Sequence, residues 1–197
     1  MNRESLRKRR EWSAVYYDNR ASVILELLEK VKPREKLIGA EIGVWRGDLI
    51  SLLLNREPRI RKMYGVDPYI VYMCEGRIAR GWGQDRWDGT YKKVVKGMEI
   101  FGDRFELVRE RSDAGAKLLP KLDFVELDGD RVYEQAVRDI SIYEKKVAKG
   151  GLLCGHGYCG IQRYIEGVKD AADWYAKEYG RELKVSEKAW MWWWYVS

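Results

Sequence analysis

From about Ser5 to Val31 apolar residues recur at helical spacing, with Val15, Val23, Leu27 and Leu28 on the stripe, Ile24 and Leu25 beside it, and Pro33 ending the helix. Short apolar runs then alternate with helical patterns. Lys36–Val44 reads as a buried strand entering a glycine turn, and Leu49, Ile50, Leu52, Leu53 and Leu54 predict a helix over Asp48–Asn55. A second strand, Met63–Val66, stops at Asp67-Pro68. After the long polar and aromatic stretch Tyr69–Gly89 come a helix over Tyr91–Phe101, a third strand at Arg104–Val108 and a helix at Asp113–Leu119. A fourth strand at Leu122–Leu127, a helix at Val132–Val147, a fifth strand at Gly151–Cys154 and a long helix at Ile161–Tyr179 follow. This alternation predicts an α/β fold, a mostly parallel Rossmann-like sheet with helices on both faces.

The end of the chain breaks the alternation. Glu182–Val185 and Ala189–Val196 are extended runs with only Ser186-Glu187-Lys188 between them, too short for a parallel crossover, so they predict an antiparallel hairpin and seven strands in all. The last run carries Trp190, Trp192, Trp193 and Trp194 on both faces of a period-two strand. An aromatic platform for bases or sugars would need one face exposed. Bulk on both faces favours a strand covered on both sides, with these indoles buried.

A length of 197 residues suits one folding unit: an N-terminal helical segment, 1–33, packed on a domain spanning 34–197. With no run of about 18 apolar residues and no apolar stretch after the charged start, neither a membrane-spanning helix nor a signal peptide is expected. The three cysteines, Cys74, Cys154 and Cys159, lack the CxxC spacing of a zinc site, which fits a reducing, cytoplasmic setting. A single histidine excludes sites built from several imidazoles. The net charge of +6 has its densest cluster at Arg3–Arg10, which reads as a solvated terminal arm. No arginine and aromatic interleaving falls on a strand expected to be exposed, so a nucleic-acid partner is not favoured.

Ligands of open parallel sheets bind beyond the carboxyl ends of the strands. After the first strand stands Glu41-Ile42-Gly43-Val44-Trp45-Arg46-Gly47-Asp48, where Gly43 and Gly47 permit a tight turn and close backbone approach. After the second comes Asp67-Pro68, a carboxylate able to accept two vicinal ribose hydroxyls. Together they outline a nucleoside site. The turn is GxxxG rather than the GxGxxG of dinucleotide binders. Glu41 suits a ligand with a cationic amino group, which points to S-adenosylmethionine.

AEIGVWRGDLISLLL followed by YGVDPY resembles the first two motifs of class I S-adenosylmethionine-dependent methyltransferases. LDFVELDGDRVYEQAVRDI with VAKGGLLCGHGY is similar to a branch carrying DGDHxY after strand four and GHDY after strand five, related to sugar and small-molecule O-methyltransferases. The resemblance runs from about Leu37 to Tyr158. It implies that Glu41, Gly43, Val44 and Gly47 line the methionine end of the cofactor, that Asp67 and Pro68 meet the ribose, and that Ser112 and Asp113 lie beside adenine. Asp128 would lie near the transferred methyl group.

Two positions depart from that pattern, Arg131 for its histidine and Gly157 for its aspartate. Relatives place a divalent ion between carboxylates at these strand ends. Here Asp128 and Asp130 remain, but the second cluster offers only His156, so no metal is expected. His156, with an ordinary pKa of about 6.5, is the leading general base, Asp130 its substitute, and Asp128 orients cofactor or acceptor. The acceptor expected is a hydroxyl of a sugar or small metabolite. The stretch Tyr69–Gly89 reads equally as a lid over the acceptor or as a surface excursion. The other readings are an NAD(P)-dependent oxidoreductase, a non-catalytic cofactor-binding relative, and an RNA-directed methyltransferase.

Overall fold

The structure, a computed structural model, describes residues 3–31, 36–74, 77–78, 81–158 and 166–197, with side chains described from residue 15 onward except at 73–80 and 166. Pro33, Cys159 and residues 161–165 of the expected last helix lie outside them, as do the side chains of Cys74 and of the basic arm Arg3–Arg10.

The strands are β1 (Leu37–Ile42), β2 (Ile60–Val66), β3 (Met73–Cys74), β4 (Arg77–Ile78), β5 (Phe105–Val108), β6 (Leu122–Leu127), β7 (Val147–His156), β8 (Lys184–Ser186) and β9 (Met191–Tyr195). The helices are α1 (Arg3–Leu28), α2 (Asp48–Arg56), α3 (Gln84–Met98), α4 (Ser112–Leu118), α5 (Tyr133–Glu144) and α6 (Glu166–Glu178). Seven strands form one sheet in the order β5-β2-β1-β6-β7-β9-β8, and β3 and β4 make a separate small hairpin. All pairings from β5 to β7 are parallel; β9 runs antiparallel to both β7 and β8. The predicted Rossmann-like sheet with a terminal antiparallel hairpin is therefore present.

Each face has its own core. Ile24, Leu28, Leu49, Leu53, Trp87 and Val94 from α1, α2 and α3 cover one face. Ala116, Ile140, Tyr143, Ala172 and Tyr175 from α4, α5 and α6 cover the other. Parallel strands between two helical layers must be apolar on both sides, and β6 is buried along its whole length. Gly39 lets Phe124 of the neighbouring strand fold across β1, since a Cβ there would fall 2.2 Å from the ring.

β9 follows the two-face expectation. Met191, Trp193 and Tyr195 pack on the α1 side, and Trp192 and Trp194 on the α5–α6 side. Trp190 corrects it: it precedes the strand in a left-handed conformation (φ 50°) and is 37% exposed, while Trp193 is only half-buried. Several boundaries also move. β7 begins at Val147 and ends at His156, so the histidine closes the strand opposite Met191 instead of following it. α3 starts at Gln84, inside the stretch expected to be irregular. β1 ends at Ile42, because Gly43 turns to φ 97°.

Candidate functional site

The strand order reverses direction between β1 and β6, and the carboxyl ends part there around a crevice. Gly43 N–H bonds the Val66 carbonyl at 2.9 Å and Asp128 N–H bonds the Ile42 carbonyl at 2.8 Å, which pins the ends of three strands. A Cβ at Gly43 would lie 2.2 Å from the Asp128 carbonyl oxygen. Glycine is required there for both space and its positive φ.

Asp67 ties the turn after β1 to the end of β2. Its Oδ2 accepts from Trp45 N–H and its Oδ1 from Tyr69 N–H, both at 2.9 Å. Trp45 and Tyr69 hold left-handed backbones, φ 49° and 48°, a conformation that costs a non-glycine residue about 1–3 kcal/mol and concentrates at functional sites. One buried carboxylate thus clamps two strained residues at the mouth of the crevice. Burial raises its pKa against these hydrogen bonds, and its remaining lone pairs stay available to a hydroxyl ligand.

Beside the crevice lies a buried ionic cluster. Arg20 of α1, 1% exposed, donates from Nη2 to Glu126 Oε1 at 2.6 Å and from Nη1 to Asp128 Oδ2 at 2.8 Å. Glu41 is the cross-strand partner of Glu126, so the two carboxyls are neighbours on β1 and β6. Burial first, then the charge of Glu126, pushes the Glu41 carboxyl well up, and burial pushes Glu126 to about 7 in spite of Arg20. Burial also opposes ionisation of Asp128, but Arg20, His156 and Arg131 outweigh it and hold that carboxyl well below its usual range. Arg20 Nε, Glu41 Oε2 and Glu126 Oε2 are buried without a hydrogen-bond partner. Buried polar atoms without a partner are rare, and these three sit together at the carboxyl ends of β1 and β6.

His156, 2% exposed, faces the same cluster. Its Nδ1 lies 3.5 Å from Asp128 Oδ1 and 3.4 Å from Arg131 Nη2, and Arg131 Nη2 also bonds Asp128 Oδ1 at 3.0 Å. Tyr16 Oη lies 2.8 Å from Nε2 and 3.3 Å from Nδ1. Burial lowers the imidazole pKa, against the pull of Asp128, so the ring is neutral near pH 7 instead of titrating at the ordinary value expected for it.

The other expected residues are spread more widely. Ser112 and Asp113 open α4; Ser112 Oγ bonds Asp139 Oδ1 at 2.6 Å, and Asp113 Oδ1 accepts from Ala114 N–H. Asp139 of α5, buried and pushed up to about 6, was not expected; it joins Ser112 and Gln135 beneath the loop after β6. Asp130 is exposed and accepts from Val132 N–H at 3.1 Å, so it does not join Asp128. The donor set does not suit a divalent ion, because both oxygens of Asp128 are held by guanidiniums, and no group of three potential ligands occurs among the described residues. Within 69–89, Tyr69 and Trp87 are buried in the α1–α3 core and anchor the ends of the stretch.

Sequence reasoning missed Tyr16 and Arg20. A signal was present: Arg20 falls on the stripe of Ile24, Leu27 and Leu28, and Tyr16 one turn earlier, so α1 brings polar groups on the face it buries.

A sheet covered on both faces, with a glycine turn, a β2 carboxylate and an ionic cluster at the carboxyl ends of its strands, is a Rossmann-like arrangement. Residues 40–158 match the methyltransferase domain family. The chain belongs to that family. It is 28% identical over 141 residues to the uncharacterized protein R132 of Acanthamoeba polyphaga mimivirus, covering 68% of this chain and 58% of that protein, and so spans little more than half of that relative. Among solved structures it is similar to a caffeoyl-CoA O-methyltransferase-like protein from Staphylococcus aureus, with a TM-score of 0.64, 10% identity and coverage of 88% of this chain and 80% of that one. It is also similar to CalS11, the TDP-rhamnose 3′-O-methyltransferase of calicheamicin biosynthesis (0.60, 15%, 89% and 77%). The SAH-bound Podospora anserina methyltransferase PaMTH1 is a third (0.58, 10%, 82% and 72%). At such identities the likeness is one of fold.

Proposed function

We propose that this methyltransferase methylates a hydroxyl of a sugar or other small metabolite, with the cofactor seated at the ends of β1, β2 and β5. The observation that carries the seating is Glu41 Oε2, buried without a partner beside the glycine turn. Burial and Glu126 hold that carboxyl protonated in the empty site, and a bound cation lets it ionise; the ammonium at the methionine end of S-adenosylmethionine is such a cation. Gly43, Val44 and Gly47 present backbone to the same ligand, Asp67 and Pro68 meet its ribose, and Ser112 and Asp113 border its adenine.

When bound, S-adenosylmethionine supplies an electrophilic methyl group and a neutral thioether leaving group. The protein's part is to align the acceptor oxygen and remove its proton. His156, neutral and oriented by Asp128, is the base. Asp130, exposed and capping the next helix, is a poor substitute. Arg20 and Arg131 keep Asp128 ionised, and that charge stabilises the imidazolium that forms. A sugar hydroxyl is favoured by the likeness to CalS11, a TDP-rhamnose 3′-O-methyltransferase.

The test is methyl transfer from labelled cofactor to a panel of nucleotide sugars, catechols and short RNAs. Label in hydroxyl-bearing small molecules that is lost in His156→Gln, with cofactor binding retained, is the expected outcome. Transfer to RNA alone would replace the reading with an RNA-directed one.

A further inference from the structure

Resting on the proposed O-methyl transfer, we infer that Tyr16 of the N-terminal helix is a catalytic residue, the group that faces the acceptor and passes its proton inward to His156. His156 closes β7 with only 2% of its surface exposed, covered by α1. Tyr16, on α1, is half-buried, and its Oη lies 2.8 Å from Nε2. Of the two groups the phenol is the more accessible, which places it between the imidazole and an acceptor in this proposal.

The charges around the ring set the direction of the hydrogen bond. Asp128 Oδ1 stands 3.5 Å from Nδ1 and places the ring proton there. Arg131 Nη2 lies 3.4 Å from the same nitrogen, and its shorter contact, 3.0 Å, is to Asp128. Nε2 is then an acceptor, and the Tyr16 hydroxyl donates to it. Asp128–His156–Tyr16 thus repeats the logic in which a carboxylate fixes the tautomer of an imidazole that takes a proton from a hydroxyl. Burial raises the Tyr16 pKa, with Arg20 and Arg131 opposing and Asp128 and Glu126 reinforcing. The phenol stays protonated at rest and relays instead of acting as a standing base.

The step balances. The acceptor hydroxyl gives its proton to the Tyr16 oxygen while Tyr16 gives its own to Nε2. The acceptor oxygen forms the new O–CH3 bond, and the methyl–sulfur bond breaks with its electron pair staying on sulfur. Asp128 stabilises the resulting imidazolium, which returns its proton to water after product leaves. The charged groups facing the pair are Arg20 from α1, Glu126 from β6, and Asp128 and Arg131 after it.

The chain has one histidine, so its 15N spectrum reports this ring alone. A neutral ring protonated at Nδ1, with a hydrogen-bonded Nε2 whose resonance moves in Tyr16→Phe, is expected. A ring protonated at Nε2, or a spectrum unchanged in Tyr16→Phe, overturns the relay without any acceptor being needed. With the acceptor panel, Tyr16→Phe is expected to lower kcat about 100- to 1000-fold and to leave cofactor affinity unchanged. Transfer at the wild-type rate in Tyr16→Phe overturns the relay and leaves the reaction standing. No transfer by a wild type that binds cofactor overturns both.

Discussion

Arg20→Met removes the only described guanidinium bridging Glu126 and Asp128 while nearly keeping the side-chain volume. Arg20 and Glu126 are both essentially inaccessible, at 1% and 0%, so water cannot replace the lost cation. Breaking a buried pair from one side costs about 3–5 kcal/mol, which for a chain of 197 residues corresponds to a fall in Tm of about 6–20 °C. The loss should depend on pH. Glu126 has its folded-state pKa raised to about 7, so its contribution to stability is fully present below the ordinary value and fades as pH rises towards 7. Without Arg20 it rises further, so the deficit of Arg20→Met against wild type is largest above pH 7 and narrows towards pH 5. Adding Glu126→Gln to Arg20→Met should recover part of the loss at pH 8. Urea denaturation followed by tryptophan fluorescence at pH 8 and pH 5 measures this. A deficit under about 1 kcal/mol, or one of equal size at both pH values, would refute a buried ionic cluster held by Arg20.

Two further substitutions probe the frame around the site. Glu144 accepts from Trp194 Nε1, Tyr175 Oη and Arg181, so Glu144→Ala strands two buried donors and should cost about 3–5 kcal/mol in chemical denaturation. Burial opposes ionisation of Glu144, but its donors win and lower its pKa; its contribution is present above the ordinary carboxylate range and lost in acid, so the variant should show a smaller fall in stability below about pH 4.5. Gly43→Ala, with φ 97° and a backbone oxygen 2.2 Å from the new Cβ, should cost about 2 kcal/mol or more. It should also abolish cofactor binding by calorimetry by separating β1 from the end of β6.

The layers, the mostly parallel sheet and the terminal hairpin were legible because they rest on periodicity and connection length, which are local. The turn Gly43–Gly47 and Asp67 were legible for a similar reason, since motif and strand end coincide. Trp190 was not, because its exposure depends on a left-handed turn at the entry to β9 that composition does not announce. Nor was the partnership of Tyr16 and Arg20 with His156 and Asp128, which joins residues 140 and 108 positions apart. A buried arginine on an apolar stripe says that a counter-charge exists, but only the packing of α1 over β6 and β7 says which one. The departure at Arg131 was visible; that its guanidinium would reach both Asp128 and His156 was not.

The central claim is that the orphaned Glu41 carboxylate at the end of β1 holds the amino group of the cofactor. Titration calorimetry with S-adenosylhomocysteine, which keeps that ammonium, tests it most directly. One site in the wild type and an affinity weakened roughly 10- to 100-fold in Glu41→Gln, as expected for a lost charged hydrogen bond, is the predicted result. No binding by the wild type, or equal affinity in Glu41→Gln, would contradict it.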